Sequence, residues 1–109
     1  MNFDQSIAAL QTFITDFNLK DKSGIVNFNG TIHLLMDGHL SVFESNVQII
    51  TSHHIDTVYI IHGREKEDRF PEMFDPRSFY FSYVKREGLR ITPINKNLKI
   101  IASIYPRPV

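Results

Sequence analysis

The sequence predicts an α+β domain: an N-terminal amphipathic helix packed on one face of a mostly antiparallel six- or seven-stranded meander sheet. Three observations carry this expectation. Apolar residues recur every third or fourth position at the start of the chain, they recur every second position from Gly24 onward, and Asp37-Gly38 stands between two such alternating runs. The first spacing matches the turn of a helix and the second the pleat of a strand, while Asp-Gly suits the positive backbone angles of a type I′ hairpin turn.

Phe3, Ile7, Leu10, Ile14 and Phe17 form the helical stripe, widened by Ala8, Ala9 and Phe13, and predict a helix from about residue 3 to 18. Asn2 or Asp4 can cap its free amides, and Asn18 with the cluster Lys20-Asp21-Lys22-Ser23-Gly24 ends it. About two heptads are too few to hold a coiled coil, so the stripe is expected to pack on the sheet.

Ile32, Leu34 and Met36 alternate up to Asp37-Gly38, and Leu40 and Val42 alternate after it; the turn places Met36 opposite His39 and Leu34 opposite Ser41. Ser45-Asn46 is read as a break, Val47 to Thr51 as a strand, Ser52-His53-His54 as a turn and Thr57 to His62 as a further strand, closed by Gly63. Residues 64–77 carry dense charge, Pro71 and Pro76 and neither period, which predicts an exposed excursion. Phe79 to Val84 reads as a strand with aromatic residues on both faces, hence covered on both. Glu87-Gly88 then turns into Leu89 to Thr92, with Pro93 at an edge or bulge, and Asn95-Lys96-Asn97 turns into Leu98 to Tyr105. The tail 106–109 is expected to be extended and unpaired.

A chain of 109 residues, 42% hydrophobic and 22% charged, suits one domain spanning 1–109. The absence of cysteine excludes disulfides and thiolate chemistry. An acid near the N-terminus, where a secretory signal carries bases, and apolar runs well short of a membrane span predict a cytoplasmic protein with no membrane partner. The zero net charge conceals a division. Up to Val84 there are eleven acids and six bases, whereas from Lys85 onward six bases face Glu87 alone, so the chain is dipolar.

The residues spell no catalytic, metal-binding or nucleotide-binding motif, and no cofactor is implied. The five histidines, His33, His39, His53, His54 and His62, lack the spacing of a ligand set, since adjacent His53 and His54 would point to opposite faces of a strand. The leading expectation is therefore a small non-catalytic interaction or regulatory module, of inhibitor, immunity or adaptor type, binding another protein through Phe70, Met73 and Phe74 of the charged excursion. Edge pairing or helix packing would equally make a homodimer. A first alternative is a single-stranded nucleic-acid binder using residues 77–99, with Tyr83, Arg86, Arg90, Lys96 and Lys99 along one basic, aromatic strip. Arg77 to Val84 has the leading base and the stacking rings Phe79 and Phe81 for such a strand. Ser78 and Tyr80, however, stand where glycine or alanine belongs. A second alternative is a small hydrolase or nuclease with His54 or His62 as base, Tyr59 or Tyr80 as proton donor and Arg64 or Arg77 holding an anion.

Overall fold

The structure, a computed structural model, describes residues 2–50, 57–61 and 73–107, with the backbone alone at 57–61 and 73. Among the described residues are one helix, α1 (Phe3–Asp16), and eight strands: β1 (Asp21–Lys22), β2 (Ile25–Met36), β3 (His39–Ile50), β4 (Thr57–Ile61), β5 (Met73–Phe74), β6 (Phe79–Val84), β7 (Gly88–Pro93) and β8 (Ile100–Pro106). Every pairing is antiparallel. The order across the sheet is β5-β4-β3-β2-β8-β7-β6, with β1 beside the start of β2. Six of these strands run five residues or more, and the sheet consists of two meanders, β2 to β5 and β6 to β8, joined where β8 lies beside β2.

Strand order forces the sheet to curl. Laid flat, β5 and β6 would stand about 29 Å apart, six strand spacings, whereas the chain from Phe74 to Phe79 reaches at most about 18 Å. The two opposite edges therefore come together: the rings of Phe74 and Phe79 meet edge to face at 5.0 Å, and a turn with Ser78 N and Phe79 N both donating to Asp75 O joins them. The result is a half-barrel whose concave side holds the core.

α1 fills that concavity against β6 and β7. Its start is a capping box, with Gln5 N donating to Asn2 Oδ1 and Asn2 N to Gln5 Oε1, both at 2.9 Å. Asn18, at φ 52°, ends it in the left-handed region as expected. The buried face, however, is centred on Ser6, Leu10 and Phe13, rotated from the predicted stripe, and Phe3 is 45% exposed. Ser6 explains the rotation. β6 ends the strand order among the described residues, and the amide of Phe81 donates to the buried Ser6 Oγ at 3.0 Å; the helix thus supplies an acceptor that a further strand would otherwise provide.

The Asp37-Gly38 hairpin has the expected register, Met36 opposite His39 and Leu34 opposite Ser41, with φ 51° and 81° at the two turn residues. Several further expectations need correction. The first is the break at Ser45-Asn46: β3 continues through it because Ser45 turns inward opposite Gly30, while Asn46 Nδ2, outside, donates to Asn27 Oδ1 at 2.7 Å. The second is the cluster after the helix, which forms a tight hairpin. Ser23 and Gly24 both have positive φ, Gly24 N donates to Asp21 Oδ1, and β1 pairs with β2. The third is the tail, whose described residues 106 and 107 are not unpaired: Pro106 lies opposite Gly30, Arg107 N donates to Asn29 O, and the Arg107 guanidinium pairs with Glu44 at 2.8 Å.

The charged excursion is also shorter than expected, since Met73–Phe74 is a strand paired with β4 and Phe74 is fully buried. Phe70 and the rest of 62–72 lie outside the described residues, as do the Ser52-His53-His54 turn, His62 and Gly63. β6 has the predicted bounds, but it is covered on one side only: Phe79 and Phe81 are buried, whereas Val84 is exposed. Among the described residues no helix is long and apolar enough to cross a membrane.

Candidate functional site on the outer face of the sheet

Strand alternation sends one residue of every neighbouring pair into the core and the other outward. Inward go Ile32 and Leu34 of β2, Ala102 and Ile104 of β8, and Leu89 and Ile91 of β7, all essentially without solvent contact. Outward, the pairing aligns Ser82, Arg90, Ser103, His33 and Val42 in one row across five strands, through the successive pairs Ser82–Arg90, Arg90–Ser103, Ser103–His33 and His33–Val42. The neighbouring row holds Ile101, Leu35 and Leu40. Directly opposed residues on one face stand about 5 Å apart at Cβ, so each row is a contiguous strip.

The centre of this face is hollow because Ser103, the small outward residue of β8, lies between the long side chains of Arg90 and His33. An open concavity of about 490 Å³ results, with Leu35, Leu40 and Ile101 at one end and Arg86, Glu87 and Tyr105 at the other. Arg86 and Glu87 come from the turn between β6 and β7. Gly88, which follows that turn at φ 81°, presses so closely on β8 that any Cβ there would sit 2.3 Å from Ile104 O. That contact holds the turn against Tyr105. Among the described residues no carboxylate forms an ion pair with Arg86 or Arg90, both of which face the hollow.

Tyr105 links the hollow to the core, its ring packing edge to face on Phe17 at 5.1 Å. Phe17 in turn meets Phe13 and Tyr83. Desolvation, together with the neighbouring Asp16 carboxylate, raises the Tyr83 phenol above its ordinary pKa. Tyr83 belongs to this aromatic cluster beneath the helix.

No protein-family model, curated protein or solved structure matches the chain.

The site must therefore be read from its own residues. The basic, aromatic strip expected over 77–99 is divided by the fold. Arg86 and Arg90 reach the hollow. Tyr83 packs against the helix, on the opposite face of the sheet from Arg90. Lys96 and Lys99 lie in the connection from β7 to β8, at the far end of the sheet, where Asp37 N donates to Lys99 O. Phe74 is core and offers no surface; the side chain of Met73, like Phe70, lies outside the described residues.

His33 and His39 do not converge, since His33 projects outward and His39 lies opposite the inward Met36. Among the described residues no three of His, Asp and Glu gather in a metal-holding group. The candidate bases His54 and His62, the anion-holding Arg64 and the side chain of Tyr59 fall outside the described residues; Tyr80 sits opposite Thr92, and Arg77 in the turn after β5. Sequence reasoning missed His33, Leu35, Leu40, Ile101, Ser103 and Tyr105 as one surface. Part of the signal was present: a register with Leu34 opposite Ser41 already turns Leu40 and Val42 away from Ile32 and Leu34.

Proposed function

We propose that the chain is a small non-catalytic protein-interaction module that receives its partner on the outer face of the sheet, across β3, β2, β8 and β7. The observation that supports this most is the coexistence there of Leu35, Leu40 and Val42, 38%, 64% and 54% exposed, with Arg86 and Arg90 at the side of the same hollow. Aliphatic side chains contribute about 1.5–3 kcal/mol each when an exposed one becomes fully buried, and clustered exposure of this kind is characteristic of docking surfaces. Arginine beside an apolar strip adds directional recognition of acids. The division of the late bases between two ends of the sheet weakens the nucleic-acid alternative, which needs a continuous track of charge.

The test is site-specific photo-crosslinking in the native host. With a benzophenone side chain in place of Leu40, discrete higher-mass adducts are expected, and they should vanish when Arg86→Glu and Arg90→Glu are combined. The same probe in place of Thr12, on the exposed side of α1, should give none. Equal adducts at both positions, or none at position 40, would defeat the proposal.

A further inference from the structure

The register of the outer face defines more than a location. Successive rows are two residues apart along a strand, about 7 Å, and they differ in chemistry. One row is aliphatic, with Ile101, Leu35 and Leu40; the next is cationic and polar, with Arg90, Ser103 and His33; beyond it Tyr105 pairs with Thr31, and Arg86 approaches from the adjoining turn. An extended peptide has the same repeat, since every second side chain points the same way at the same spacing. Laid along β8 over the hollow, it would set one side chain over each row.

Resting on the interaction reading above, we infer that the occupant is an extended acidic segment of a partner protein, with an aliphatic residue, a carboxylate two positions on and a second carboxylate two positions further. The aliphatic side chain covers Leu35, Leu40 and Ile101. The first carboxylate accepts from the Arg90 guanidinium, near the Ser103 hydroxyl and His33, and the second from Arg86. Charge complementarity selects this chemistry: two guanidiniums and an imidazole face the hollow against Glu87 alone, and no described carboxylate pairs with either arginine. A wholly apolar segment would leave both arginines half-desolvated without acceptors, and a basic one would be repelled. The small size of Ser103 in the middle row fits this reading, since a longer residue there would fill the space the carboxylate enters.

The experiment is titration of the isotope-labelled chain, followed by amide NMR, with three probes at low salt. These are the blocked peptide Leu-Thr-Glu-Thr-Glu, its counterpart with both glutamates replaced by glutamine, and a short oligothymidylate. The acidic peptide is expected to shift the amides of Leu35, Arg90 and Ser103, and to bind about tenfold more weakly at near-molar salt, where surface charges are screened. The glutamine peptide should bind at least about tenfold more weakly, as should the acidic peptide to a chain carrying both Arg86→Gln and Arg90→Gln. Unchanged amide positions away from the hollow would show that this variant is folded. Equal binding of the glutamine peptide, binding of oligothymidylate alone, or no binding of any probe would each overturn the acidic-segment inference. Discrete adducts from position 40 would in those cases still uphold the docking face, so the two claims fail separately.

Discussion

The two faces of β2 and β8 are built from the same strands and the same alternation, yet they obey different rules. Inside, Ile32, Leu34, Ala102 and Ile104 are excluded from solvent and join one cluster with Leu10 and Phe13 of the helix. Outside, His33, Leu35, Ser103 and Tyr105 surround a hollow with aliphatic and cationic walls. The inner set is fixed by volume, because a close-packed interior feels every missing methylene. The outer set is free of that demand, and the proposed docking partner would account for its apolar members.

The difference can be broken or sharpened by substitution. The largest effect is expected for Phe81→Ala, which empties a fully buried position between α1 and β7; loss of about 3–5 kcal/mol should appear as a lower urea midpoint with little change in slope. A loss within about 0.5 kcal/mol would mean that the helix does not pack as described. Ser6→Ala tests the polar element of the inner side. Removing the hydroxyl leaves the Phe81 amide buried without its acceptor, a cost of about 1–3 kcal/mol, and hydrogen exchange at Phe81 should accelerate. Least affected should be Leu40→Thr on the outer face, within about 0.5 kcal/mol of the parent, although it should reduce peptide binding. A marked fall in melting temperature there would show that Leu40 serves the fold.

Much of the inner side was legible in the sequence, and the reason is locality. Asp37-Gly38 and the alternation around it fix the β2–β3 register within a few residues, and Phe79 to Val84 was bounded by its own period and its own turns. Where legibility failed, a distant partner had changed the meaning of a residue. Ser6 interrupts an apolar stripe and looks like a surface residue, but it is the buried centre of the helix because β6 presents an amide to it. Asn46 looks like a turn former, yet its amide is satisfied by Asn27 across the hairpin. The outer hollow was the least legible part. Its two arginines were visible as bases, but grouping them with Lys96 and Lys99 followed chain order, and chain order does not reveal that β8 returns beside β2. Only that return brings Arg90 and His33 to either side of Ser103.

The same return has a consequence for how the protein is made. β2 emerges from the ribosome early and acquires β3 at once through its short turn, but its other edge, from Gly30 to Met36, is completed only by Ile100 to Pro106. Throughout that interval of translation the nascent hairpin displays unsatisfied peptide groups beside Ile32 and Leu34, a template for pairing with the hairpin on a neighbouring ribosome. Pairing of Ile100 to Pro106 with that edge is the event that shelters it.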